Sequence, residues 1–257
     1  MIAKVESLFP NKKIYFASDF HLGSPNASIS LERERKIIRW LDAIKPTAQQ
    51  IFLLGDVFDF WYEYNHVVPK GYIRFFGKLA EIIDSGIPIN FFTGNHDLWT
   101  FDYFPSEIGM KVYHCPQYVE FCGKKLLIGH GDGLGNGDYG YKILKKIFEN
   151  RFLQYLFAKI HPDLSFRLAF FWSRSSKNKA RNEEEKRFLG EKEWLWQYCK
   201  ALEVQKHADY YIFGHRHLPL DLEVSANSRY INLGEWFTNQ CHYAEFDGNN
   251  LTLKTFE

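Results

Sequence analysis

The sequence predicts an α/β protein in which parallel strands alternate with helices, with a second group of strands behind a helical insertion. Three observations predict it. Apolar strand-like runs alternate with helical periodicity over residues 13–92. From 111 to 129 and again from 219 to 256 the chain changes to short strands with turn residues between them, Gly123 and Asp247-Gly248 among them. Between these groups, residues 142–181 carry ten Lys and Arg against only Glu149 and Asp163, a local excess of eight positive charges in a chain of net charge +1.

The elements follow in order. Residues 13–18 (KIYFAS) read as a short buried strand. Leu31, Ile37, Ile38, Leu41 and Ile44 recur close to helical spacing, and Pro46 marks the stop. Gln50–Leu54 reads as a second strand, residues 70–85 as a helix ending near Gly86, and Ile87–Phe92 as a third strand. In the basic stretch, Ile143, Leu144, Ile147, Phe148, Leu156, Phe157 and Ile160 fall at helical spacing, followed by crowded rings at Phe166, Phe170, Phe171 and Trp172. Residues 139–207 are expected to form a helical insertion in a single domain spanning 1–257.

Composition narrows the class. With 257 residues, 46% hydrophobic and 25% charged, the chain can bury a large core, and whole-chain disorder, collagen and coiled coil are excluded. The near-balanced charge offers no global field for nucleic acid. The start, MIAKVESLFPNKK, is too polar for a signal peptide, and no apolar run is long enough to span a bilayer. Cys115, Cys122, Cys199 and Cys241 are scattered, with no CxxC pair, which suits reduced thiols in a cytoplasmic protein. Aromatic residues make up 18% of the chain, to serve a Phe-rich core or an apolar ligand.

Five clusters carry the chemistry: Asp19-Phe20-His21, Gly55-Asp56, Gly94-Asn95-His96-Asp97, Gly129-His130-Gly131-Asp132 and Gly214-His215-Arg216-His217. Each follows an apolar run. A residue just past a buried strand is held rigidly yet reaches the surface, so five such ends can aim side chains at one point. Asp19/His21 and His215/His217 are i, i+2 pairs, which share a face in extended chain. Imidazole and carboxylate donors form a mixed nitrogen and oxygen set that suits Mn, Fe or Zn. His66, His114, His161, His207 and His242 lie outside the clusters and read as surface or core residues. Asp132 either orients a ligand or caps a turn.

In this order the five motifs resemble the calcineurin-like metallophosphoesterases. The resemblance implies a four-layer αββα sandwich holding two divalent metals. It places Asp19, His21 and His217 on one ion, Asn95, His130 and His215 on the other, and Asp56 between them. Shared negative charge is what two neighbouring dications need, and such ions acidify a bound water toward neutral pH. The resemblance also gives His96 the role of stabilising the transition state or protonating the leaving oxygen. Asp97 is expected to orient it, as a carboxylate commonly orients a catalytic histidine.

A narrower resemblance rests on His130-Gly-Asp-Gly-Leu-Gly-Asn-Gly-Asp138-Tyr-Gly-Tyr141-Lys142, on Gly55-Asp56-Val-Phe-Asp59-Phe-Trp61, and on Ser18-Asp19-Phe-His21-Leu22-Gly23. These are similar to the family of UDP-2,3-diacylglucosamine hydrolases of lipid A biosynthesis. That family cleaves a pyrophosphate at its α-phosphorus, and its helical insertion forms a lid over acyl chains. By this resemblance Asn95, His96, Asp138, Tyr141 and His215 contact substrate, and Arg174 and Lys177 fall where further contacts occur. His96 departs from the best-known branch, which has arginine there, and an imidazole permits acid chemistry that arginine does not. The expected partners are a UDP-linked diacylated glucosamine and the inner face of the cytoplasmic membrane, which a basic, aromatic surface suits. A general metal-dependent phosphodiesterase or phosphatase with a soluble substrate is the alternative.

Overall fold

The computed structural model describes residue 2 and residues 4–135, 139–169 and 187–257. Two sheets form the centre. The first has six strands in the order β11-β10-β1-β2-β3-β4: β1 (Lys13–Ala17), β2 (Ala48–Leu54), β3 (Ile89–Phe92) and β4 (Lys111–Tyr113) run parallel, and β10 (Cys241–Phe246) and β11 (Leu251–Phe256) add antiparallel strands beside β1. The second has five strands in the order β5-β6-β7-β9-β8. Here β6 (Lys124–Ile128), β7 (Tyr210–Phe213) and β9 (Ser228–Leu233) are parallel, flanked by antiparallel β5 (Gln117–Phe121) and β8 (Pro219–Ser225).

Strand alternation explains the layering. On β1, Ile14 and Phe16 face one way and Tyr15 and Ala17 the other, as the period of two requires. The first pair joins Phe52, Leu54 and Phe92 against Ile128, Ile212 and Ile231 of the second sheet, an apolar slab between sheets. The second pair joins Leu53 and Phe91 under α1 (Ala27–Ile44) and α2 (Ile73–Asp84), which present Ile37, Trp40, Leu41, Phe75, Leu79 and Ile82. On the far side, Leu127, Tyr211, Phe213 and Tyr230 pack against Leu195 and Cys199 of α5 (Trp194–Glu203). The result is helix, sheet, sheet, helix.

Helix α1 begins at Ala27, four residues before the first periodic leucine. Asn26 caps it, its Oδ1 accepting from the amide of Ile29 at 3.1 Å. That signal stood in the sequence, but the polar first turn hid it from an apolar-period reading. Between β6 and β7 lie α3 (Tyr139–Phe148), α4 (Arg151–Phe157) and a helical stretch at 162–169. Helix α5 falls inside the 139–207 stretch expected as an insertion, yet it supplies the fourth layer of the sandwich. Leu195 and Cys199 thus pack as core, which the apolar spacing of this stretch did not distinguish from a lid.

Among the described residues, part of the large aromatic share fills the core. Phe16, Phe20, Phe52, Phe58, Phe75, Phe91 and Phe92 are fully buried. A second aromatic set joins the ligand loops to the insertion: Phe60 meets Phe166 at 5.2 Å between ring centroids, and Trp99 meets Phe157 at 4.7 Å. The Trp99 indole donates to the Phe148 carbonyl, and the Tyr62 hydroxyl to that of Gln154. All four cysteines are free.

Candidate metal centre

The parallel strands of both sheets end at one edge, and the loops beyond them continue the pairing of the strands. Past β1 and β2, the amide of Asp19 donates to Gly55 and that of His21 to Asp56, at 3.0 and 2.9 Å. Past β6 and β7, the amide of Gly214 donates to His130 at 2.9 Å. Each loop is thus fixed by its neighbour before any side chain contributes.

Five of the seven ligand candidates have left-handed backbones: Asp19 (φ 56°), His21 (44°), Asp56 (51°), His215 (70°) and His217 (55°). This differs from the extended geometry expected of the two i, i+2 pairs. Asp and His tolerate this region better than most side chains, yet it still costs about 1–3 kcal/mol per residue, and such strain collects at functional sites. The turn it makes lets both members of a pair curl toward one point. Close approach explains two of the glycines. A Cβ on Gly94 would run into the Asp56 carboxylate and amide, and one on Gly214 into Asp19 and Ser18.

The side chains converge. Asp19, His21, Asp56 and His217 present donor atoms within 4.8 Å of one another, and Asp56, His130 and His215 do likewise. Asp56 belongs to both sets. Its Oδ1 accepts from the His96 amide at 2.9 Å, while its Oδ2 lies 3.5 Å from His21 Nε2 and 3.4 Å from His130 Nε2. Asp19 Oδ1 lies 3.1 Å from His217 Nε2, and His217 Nε2 lies 3.2 Å from His21 Nε2. Asn95 turns Oδ1 to His130 Nε2 at 3.2 Å and to His215 Nδ1 at 3.0 Å. A third set, His21, Asp59 and His96, adjoins the first.

This donor set fits divalent cations. It is made of imidazole nitrogens and carboxylate and amide oxygens, with two imidazole nitrogens facing each other where only one at most can donate. His130 is oriented to serve as a ligand, because its Nδ1 donates to the Leu54 carbonyl at 2.8 Å and so turns Nε2 inward. Protonation follows the charges. Burial raises Asp19, but hydrogen bonds with His21 and His217 outweigh it and hold the carboxyl well below its usual range. Burial lowers His130, but the charge and hydrogen bond of Asp56 carry it up to about 10. Burial and the neighbouring His130 push His215 down to about 4, so its ring is neutral.

Asp97 does not orient the His96 ring. Its buried carboxylate accepts from the amides of Gly94 (2.7 Å), Val57 (2.8 Å), Asp56 (3.3 Å) and Phe58 (3.4 Å), clamping two ligand loops together. The His96 ring is held instead by the Asp59 carbonyl, which accepts from Nδ1 at 2.8 Å. Tyr141 donates to Asp132 Oδ2 at 2.7 Å, Lys145 does the same, and the Tyr141 ring lies 6.4 Å from that of His215. Asp138, Arg174 and Lys177 lie outside the described residues.

Two supporting residues carried no motif signal. Buried Arg33 on α1 donates through one nitrogen to the carbonyls of Phe20, His21 and Ser24, pinning the first ligand loop. Asn232 on β9 donates to the Gly214 carbonyl. A polar residue in a helix or strand looks solvent-facing in a sequence; only the fold turns these inward.

Residues 12–219 match the calcineurin-like phosphoesterase family. The chain belongs to that family. This phosphoesterase is similar to proteins named UDP-2,3-diacylglucosamine hydrolase. It shares 37% identity over 260 residues with one from Porphyromonas gingivalis, covering 95% of this chain and 98% of the relative. It shares 27% over 225 residues with one from Aeromonas salmonicida, covering 86% and 85%. A third, from Stenotrophomonas maltophilia, is 27% identical over 248 residues, covering 93% and 97%.

Proposed function

We propose that this phosphoesterase hydrolyses UDP-2,3-diacylglucosamine with two divalent ions, releasing UMP and 2,3-diacylglucosamine 1-phosphate. The observation that carries the reading is the convergence of Asp19, His21, Asn95, His130, His215 and His217 around Asp56, in a chain of which 95% aligns with a protein named as a hydrolase of that substrate. Manganese suits the donors, as do iron and zinc.

In the reaction an oxygen of water bonds to the α-phosphorus, and the bond from that phosphorus to the bridging oxygen breaks. Bound ions supply an acidified water and neutralise charge on the phosphoryl oxygens. Asp19, His21, Asp56 and His217 would hold one, and Asp56, Asn95, His130 and His215 the other. The chain's own groups position and exchange protons. His96, which keeps its Nδ1 proton on the Asp59 carbonyl, gives a proton from Nε2 to the leaving phosphate oxygen when the ring is an imidazolium, and the proton released by the attacking water restores the balance. Asn95 fixes His130 and His215 relative to one another through a single amide oxygen. Tyr141 stays a neutral donor beside His215, because burial and Asp132 raise its phenol far above the usual range.

The insertion supports a lipid substrate. Helices α3 and α4 expose Ile143, Ile147, Phe152 and Leu156 among the exposed Lys146 and Arg151, a mixture suited to an anionic membrane surface. Among the described residues, no helix is long and apolar enough to cross one. Peripheral attachment at the inner face of the cytoplasmic membrane is the arrangement proposed.

The test supplies UDP-2,3-diacylglucosamine with Mn2+ and measures UMP. Metal-dependent UMP release is expected. Cleavage of a soluble phosphodiester without any UMP from the lipid would overturn the substrate and favour a general phosphodiesterase.

A further inference from the structure

Arg216 separates His215 from His217, so the one turn 215–217 delivers a donor to each of the two ligand sets. A guanidinium there is unexpected, since an unpaired positive charge between cation ligands opposes cation uptake. It is buried, and so is Glu193. Arg216 Nε donates to Glu193 Oε1 at 2.6 Å and Nη2 to Oε2 at 3.1 Å, a bidentate pair, and the guanidinium lies 4.7 Å from the centre of the Trp194 ring. Glu193 is the residue that opens α5, where a negative charge faces the positive helix end. Helix α5 is itself packed on the second sheet through Leu195 and Cys199.

We propose that the Arg216–Glu193 pair is the positioning device for His215 and His217, mounting their strained turn on α5 and cancelling the arginine charge beside the ions. The proposal rests on the metal reading above. Buried ion pairs contribute little net stability, and apolar replacements of similar volume are often tolerated. Stability alone therefore does not account for the pair. Its two parallel hydrogen bonds fix the direction of the arginine stem, and with it the backbone between two residues that both sit at positive φ. Ligand loops nearer the first sheet have Asp97 and Arg33 as clamps; this pair does the same for the turn after β7.

The test titrates the full-length protein with Mn2+ alone by calorimetry, alongside kcat, KM and thermal melting. The double variant Glu193→Met/Arg216→Met removes both charges at similar volume. It is expected to melt cooperatively, to bind Mn2+ about 10–100-fold more weakly, and to lose kcat while KM for UDP-2,3-diacylglucosamine is unchanged. Arg216→Lys keeps the charge without the fork, and its affinity is expected between the two. Wild-type Mn2+ affinity and kcat in either variant would overturn the proposal. Wild-type protein that takes up no Mn2+ would overturn the metal reading instead.

Discussion

His130 shows what a single residue contributes. Asp56 holds its imidazole protonated up to about pH 10, while Asp56 stays ionised and His215 stays neutral. A cation that takes the Nε2 lone pair must expel that proton, so metal uptake near neutral pH should release protons, and affinity should weaken as pH falls. The sign follows from the raised value: below about 10 the proton competes with the cation, and above it the competition ends. Calorimetry in buffers of different ionisation heat measures the release; heats independent of buffer would contradict it. His96 differs in kind, because its Nδ1 is tied to a backbone carbonyl beside the ligand sets. His96→Ala should keep its metal content and slow turnover by about 10²–10⁴. Loss of metal would instead make it a ligand. Both histidines were legible in the sequence from their position after apolar runs. The left-handed backbones at five ligand positions were not, since nothing in DxH or GHRH separates a turn from an extended end.

Among elements, the strand ends matter most. Parallel β1, β2 and β3 finish side by side, and Asp97 ties the loops after β2 and β3 through four backbone amides. Asp97→Ala leaves buried donors without an acceptor, so it should cost about 3 kcal/mol or more of stability and lower metal affinity together. Thermal melting with and without Mn2+ checks this, and a variant with wild-type melting and metal binding would show the clamp to be dispensable. The strand, helix, strand rhythm over residues 13–92 could be read because buried parallel strands are nearly all apolar and the helices keep their period. Helix α5 could not be assigned to a layer from sequence. Its apolar stripe fits a lid as well as a sheet, and only Leu195 and Cys199 against Tyr211 and Phe213 decide between them.

For the whole molecule, a four-layer sandwich brings donors from residue 19 to residue 217 to one edge, with a basic, apolar insertion close by. Its surface should bring the protein onto anionic vesicles in a salt-sensitive way. Phe152→Asp, at a position 66% exposed, should reduce cosedimentation while leaving Mn2+ affinity unchanged. Equal sedimentation of the variant and the parent would argue against insertion-mediated attachment. The α/β rhythm was legible from the residues, and the four-layer architecture through the resemblance carried by the order of the five motifs. The insertion's packing was less legible, since contacts such as Trp99 to Phe148 join segments far apart in sequence. The most direct test counts metal per chain by elemental analysis after Mn2+ loading, for the parent and for Asp56→Ala. Two ions in the parent and almost none in the variant are predicted; a parent that retains none, or a variant that retains both, would contradict the shared role of Asp56.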